Sequence, residues 1–514
     1  MFVKKWLVVG TLLGFGLLFF VLPILVGLAL ERGYPLALDD LRERAEGRFV
    51  LEASLDRGLL DSTGETLIRM ASPGLDAAPL RLRHAWAHGP LPLSEWWAGR
   101  IPIPPVLTVV RIEVDPEGIV GPEWLAALAG QPLAQAAVRV NFDGTLDVEA
   151  STPAFATADG QVTSEGARGE LTVQGGIRGV RGKLDLAAFG LREGDGGLGV
   201  ESAEVRFHGI HNDAGSRVEG SFEVGAARLG GSAGRSLQVD PSQGIFSASR
   251  AHNELDDSSL TVEFGDARIF STPPELPGLS EAVHVRGGHL EFEARSAAGR
   301  LHRLHGVFSV NALAWGEATS GPGLVRVELK GMDLFAAADF SEALGELDTS
   351  SAGDRPVLEA EAQLLREWFP VLVAASPELE VKRFELETKV GRIEGEGWLR
   401  VDGSDPSVFA DEMTALAAIE GRGQVALPVP LMQRWLEAFL TPVVEAQAGG
   451  LPREEIQAMT VFLREMAEGR LLETGMLRLK DERYHAEFRF EQGVPIVNGK
   501  LLGPGGLTEL LTGS

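Results

Sequence analysis

The chain reads as a mainly β protein with C-terminal helices, a β-rich α+β class in which extended, curved antiparallel sheets stand behind one N-terminal transmembrane helix. Three observations predict it. Alternating apolar and polar runs punctuated by glycine fill the middle, apolar stripes at helical spacing occupy the last third, and no side chain from Trp6 to Leu30 is charged.

At about 1.5 Å per residue the opening run makes roughly 37 Å of helix, enough to cross a hydrocarbon layer of about 30 Å. Lys4 and Lys5 precede it, which favours a cytoplasmic N-terminus and places the remainder across the membrane. A cleaved signal peptide is the rival. The run exceeds the usual apolar region of about 7 to 15 residues, and it ends Gly27-Leu28-Ala29-Leu30 without a clean Ala-x-Ala site.

Beyond the anchor, Phe49, Leu51, Ala53 and Leu55 share one parity, Asp56-Arg57-Gly58 turns, and Thr66, Ile68 and Met70 resume on one face. That is a half-buried hairpin. Leu82 to Ala87 and Val106 to Val114 are further strands separated by proline-rich connections. From Val138 onward, runs such as Gly169 to Val173, Val218 to Ala227 and Leu260 to Phe264 alternate, giving each sheet one wet and one dry face. The 63 glycines are too many for a helical protein and too irregular for collagen, and they mark turns and bulges. Helices are expected over Leu364 to Ala375, over Leu431 to Glu445 with a kink or break at Pro442, and over Arg453 to Glu468 with Gly469 as a stop. The resulting organisation is 1–32 cytoplasmic N-terminus and anchor, 33–135 membrane-proximal β-containing region, 136–350 glycine-rich antiparallel meander, and 351–514 mixed strands and amphipathic helices.

Composition excludes several functions. With Cys 0 there are no disulfides, thiolate nucleophiles or cysteine metal sites, and a net charge of -26 opposes nucleic-acid binding. His208 with His211 and His302 with His305 are three apart, a spacing that points to opposite faces in strands. No His-Glu-x-x-His set appears, so no metal and no cofactor are expected. No Gly-x-Ser-x-Gly elbow or Walker sequence is present, and no catalytic residue is assigned. Trp368, Phe369, Trp435, Phe439 and Phe462 mark either a core between helices and sheet or an apolar groove closed by the helices.

Several segments in their order resemble the DUF945, or YdgA-like, bacterial envelope family. Leu55-Asp56-Arg57-Gly58-Leu59-Leu60-Asp61-Ser62 followed by Glu65-Thr66-Leu67 is similar to that family's opening turn and paired strands, with Leu59 where an aromatic is usual. His84 and His88-Gly89-Pro90-Leu91-Pro92 resemble its histidine-glycine-proline segment. Glu482-Arg483-Tyr484-His485 through Gly493 to Asn498-Gly499 resembles its closing strands and turn. The resemblance implies a single-pass inner-membrane protein with a large periplasmic region in a Gram-negative bacterium, and it brings no established catalytic residues. Arg57, Gly58, Ser62, His88, Gly89, Pro90, Pro92, Tyr484, Asn498 and Gly499 are the family-like positions.

The expected function is a non-catalytic envelope protein that binds or scaffolds lipid or membrane-associated partners, touching the bilayer through residues 6–30. Its alternatives are a purely structural protein–protein interaction module and a hydrolase acting on an envelope polymer.

Overall fold

The computed structural model describes residues 49–501 apart from short intervals, chiefly 71–78, 90–94, 96–98, 100–105, 271–282, 346–362 and 406–416, together with isolated positions before residue 49. Apart from Leu28, the expected span Trp6–Leu30 lies outside the described residues. Among the described residues no helix is long and apolar enough to cross a membrane. Two compact units are present, one comprising Met1–Ile245 with Phe270–Ser280 and the other Phe246–Ile269 with Glu281–Ser514.

Antiparallel pairing builds the first unit. β1 (Phe49–Arg57) and β2 (Asp61–Met70) form a hairpin, β2 pairs β3 (Leu80–His88), and β3 pairs β4 (Thr108–Asp115). A short helix, α1 (Pro122–Leu128), begins with proline, whose missing N–H lacks an intrahelical partner in the first turn anyway. β5 (Ala134–Val140) and β6 (Leu146–Thr152) follow, and the ladder continues through Ala167–Val173, Gly179–Leu186, Ala203–Asn212 and Gly215–Val224.

A smaller ladder takes up Val162–Ser164, Phe189–Glu193, Gly196–Val200, Ala227–Gly230 and Ser236–Val239. The chain passes between the two ladders at two-residue corners such as Ala187-Ala188 and Gly225-Ala226. Backbone bonds hold these corners: Ala187 N donates to Gly166 O at 3.0 Å and Gly225 N to Ser202 O at 2.8 Å. Each corner shifts the apolar parity by one. Leu184 and Leu186 precede the first corner on even positions, while Phe189 and Leu191 follow it on odd ones.

In the second unit Leu255–Phe264, Val283–Ala297, Arg300–Trp315, Ala318–Lys330, Glu378–Thr388, Gly391–Val401, Ile419–Pro428 and Arg483–Glu491 pair in that order, all antiparallel. Helix α2 (Leu334–Gly345) interrupts this run within what reads as unbroken meander. Its signal is local, because Asp333 Oδ1 accepts the Ala336 N–H at 3.1 Å, an N-cap ahead of an alanine-rich segment.

Helices α3 (Val429–Gln447) and α4 (Arg453–Glu473) complete the unit. Both outrun the sequence expectation. α3 passes through Pro442 because Leu440 and Val444 on either side are buried, so packing offsets the lost backbone bond. α4 passes through Gly469 because Leu471 and Leu472 belong to the core that also holds Met476, Leu477, Tyr484, Ala486 and Val497. A mid-helix glycine costs about 1 kcal/mol, less than one buried leucine contributes. The turn out of α4 falls at Gly475, whose φ of 69° suits glycine.

Candidate functional site

Register brings the alternating strands into rows. In the first unit Ile112, Ala136, Ala150, Gly169, Leu184 and Val205 lie side by side on one face. The row extends to Phe222 at one end and through His84 and Gly64 to Leu55 at the other. At about 4.8 Å per strand it runs roughly 43 Å without a charged side chain. A parallel row passes through Val110, Val138, Val148, Leu171, Gly182 and Phe207. A Cβ at Gly182 would overlap the Phe207 ring, so the glycine lets the aromatic lie across its neighbour. The smaller ladder repeats the device with Val162, Leu191, Leu198, Leu229 and Leu237.

These faces are only partly covered. Leu184 is 47 % exposed, and among the described residues no apolar side chain between Val162 and Leu301 is fully buried. The opposite face of the first unit is charged, with Arg168, Asp185, Glu204 and Glu223 in one row and Lys183 bridging Asp185 at 2.8 Å.

Among the polar side chains on the apolar face, four buried ones bond one another in pairs. Ser62 Oγ and His88 Nε2 are 2.9 Å apart, and Thr66 Oγ1 and His84 Nε2 are 3.0 Å apart, all four residues being buried. Burial holds both imidazoles below the ordinary histidine range; for His88 the nearby Asp61 opposes this and Arg57 assists it. The lowered pKa values favour the neutral imidazoles over the charged form.

The second unit repeats the pattern. Leu290, Phe308, Val325, Phe384, Gly395 and Val425 form one row, extended by Val262 and Ala486 at its ends, roughly 34 Å in all. A bulge at Lys382-Arg383 keeps Val381 and Phe384 on one face although they are three apart. Leu399 is 44 % exposed on the apolar side, and Trp398 is 40 % exposed on the other.

The charged face of this unit holds a shallow depression of about 510 Å³ bordered by Glu385, Glu394, Glu396, Gln424, His485 and Glu487. Its carboxylates are engaged. Glu394 pairs with Arg483 at 2.8 Å, and Glu487 with Arg422 and Arg489, each at 2.9 Å. The hydrogen bond from Arg489 holds Glu487 below the usual carboxylate range, opposite to what a general acid requires. Among the described residues no group of three or more His, Asp or Glu could hold a metal ion.

Glu328 is a strongly perturbed carboxylate. It is buried, receives Lys382 together with Lys330 at 3.1 Å and Arg303 at 3.0 Å, and titrates at about 2, chiefly through the Lys382 hydrogen bond. A depressed folded-state pKa stabilises the fold above the ordinary value of 4.5, and that stability is lost as pH falls toward 2. Glu328→Gln is accordingly expected to flatten the acid limb of stability between those values, read from urea midpoints measured from pH 5 downward.

Of the other family-like positions, Gly58 lies against Asp61 at the first turn, donating its N–H to Asp61 O at 2.8 Å, and Arg57 ends β1 beside it. Gly89 has φ 102° and donates to Leu107 O at 2.9 Å, whereas Pro90 and Pro92 lie outside the described residues. Tyr484 is buried, which pushes the phenol up, and its hydroxyl donates to Glu468, which adds to that rise. Asn498 and Gly499, with φ 48° and 82°, form the two-residue turn between Val497 and Lys500. The Asn498 amide donates to Met476 O at 2.8 Å, and its Oδ1 accepts the Glu487 N–H at 2.9 Å, so this side chain ties three segments together. Trp368 and Phe369 are half-buried, the Trp368 ring lying 6.3 Å from that of Phe340. Trp435, Phe439 and Val443 form an exposed stripe on α3, and Phe462 and Met466 a second on α4.

A family model described as a bacterial protein of unknown function, DUF945, matches residues 3–504. The chain belongs to the DUF945 family. A search of curated proteins found no match, and a search of solved structures found none.

In this DUF945 chain Ser62 and His88, quoted separately in the sequence, are brought into contact, as are Tyr484 and the strand leading to Asn498. Thr66 and His84 form a second pair that sequence reasoning passed over. A signal for it existed: Thr66 lies four after Ser62 and His84 four before His88, the spacing by which two antiparallel strands repeat a pair on one face. The rows carried no signal beyond alternation, since they depend on register.

Proposed function

We propose that the chain is a non-catalytic scaffold of the bacterial envelope. In this reading Trp6–Leu30 holds it in the inner membrane with its N-terminus cytoplasmic, and the sheets present their apolar faces to a partner in the periplasm. One observation carries the reading: charge-free rows tens of ångströms long, whose side chains stay partly exposed. Soluble monomers seldom leave so large an apolar area bare unless it is a binding surface. The paired carboxylates of the charged face support a non-catalytic role, and DUF945 membership supports the bacterial setting.

The purely structural protein–protein module is favoured by a separate observation. Trp435, Phe439 and Val443 recur at i, i+4 and i+8 on α3, 51 %, 61 % and 42 % exposed, the anchor spacing by which helices dock into grooves. Purification of the full-length chain from its own membranes in mild detergent, followed by mass spectrometry of lipids and proteins, tests the scaffold reading. A retained lipid or a stoichiometric envelope protein, released by Leu184→Glu with Leu399→Glu, is the expected result. A chain that carries neither, or that cleaves an envelope polymer, overturns it.

A further inference from the structure

Resting on the scaffold reading, we infer that the charge-free rows seat the acyl chains of membrane phospholipid, each chain lying across the strands. The occupant follows from what the rows lack. A protein partner brings about one hydrogen bond per 100–200 Å² of interface and needs counterparts for them. The rows offer few, because their backbone groups are spent in the ladders, Ser62 bonds His88, Thr66 bonds His84 and Thr108 bonds Ala87 O, and the other ring nitrogens of His84 and His88 are buried out of a partner's reach. A polar group pressed against such a face without a partner costs on the order of 2 kcal/mol. Hydrocarbon incurs no such cost.

Size agrees. A lipid tail reaches about 15 Å, half of a hydrocarbon core of about 30 Å, so each of the two longest rows accommodates two tails end to end and the row of the smaller ladder one. A second copy of the chain is the weaker occupant, since each copy carries a net charge of -26 and the two would repel.

Neighbouring positions on opposite faces make the test. The full-length chain is placed in vesicles of phosphatidylethanolamine and phosphatidylglycerol doped with phosphatidylethanolamine bearing a diazirine midway along one acyl chain. After irradiation, labelled residues are assigned by mass spectrometry. Label on the rows as well as on Trp6–Leu30 is expected. Leu399→Glu should reduce label in the second unit about five-fold or more, because a tail seated there would have to desolvate the carboxylate, while Trp398→Glu leaves it within about two-fold. Leu184→Glu and Ile210→Glu, on opposite faces of two paired strands, serve as the comparison in the first unit, at 47 % and 44 % exposure. Site assignment on the unsubstituted chain stands independently of whether any variant folds. Label confined to Trp6–Leu30, or equal loss from both members of a pair, overturns the lipid seat. A photoreactive residue at position 399 that captures one protein stoichiometrically, with no lipid on the rows, overturns it too but leaves the scaffold reading standing. Rows that carry neither lipid nor protein overturn both.

Discussion

Alanine at position 403 is expected to cost the second unit about 3 kcal/mol. Gly403 is buried just after strand Gly391–Val401 and donates its N–H to Ser376 Oγ at 3.1 Å. A Cβ there would overlap the carbonyl of Val373 and crowd Cα of Ala374. Both are backbone atoms, and the segment cannot swing aside easily because Ser376 turns it with φ 55° and Val373 is buried. Urea unfolding of Gly403→Ala against Gly199→Ala measures the effect. Nothing lies within 4 Å of a Cβ at Gly199, so that variant is expected to stay within about 0.5 kcal/mol of the unsubstituted chain. Equal midpoints for the two would show that the 373–376 turn yields.

His88→Ala is expected to cost a further unit of comparable size, about 3 kcal/mol, from the emptied volume and the orphaned Ser62 hydroxyl. Ser62→Ala should cost about 1.5 kcal/mol, and the double variant less than the sum, because the second change removes a group the first has already stranded. The pH dependence has a fixed sign. A histidine whose folded pKa is lowered binds its proton more readily when unfolded, so stability is complete above the ordinary value of 6.5 and declines as pH falls below it. His88→Ala should lessen that decline, His84 retaining a share. A slope unchanged between pH 7 and 5 would show that His88 does not titrate on unfolding.

The class of fold was legible because alternation and helical stripes are local properties. β1, β2 and β3 fall where period two puts them. Helix ends were less legible. Gly469 and Pro442 are breakers by propensity, and burial of Leu471 and Val444 overrides them. Of the site, the parts that were legible are residues whose chemistry is unusual where it stands, such as Ser62, His88 and Asn498. What was illegible is everything decided by register. Leu184 and Val205 are neighbours only because Gly179–Leu186 and Ala203–Asn212 pair as they do, across the excursion into the smaller ladder. The extra residue at Lys382-Arg383 likewise looks like a break in alternation until its partner strand shows which face it preserves.

The two-residue corners between the ladders make the rows countable in whole hairpins. Removing a hairpin with its corner would shorten a row by roughly 10 Å, two strand spacings, and leave every remaining side chain on its own face. Removing one residue inside Gly179–Leu186 would turn part of that strand over, carrying Arg181 and Lys183 into the apolar row and Leu184 out of it. A chain built this way is therefore expected to keep its fold through loss or gain of a whole hairpin and to lose it through loss or gain of one residue inside a strand.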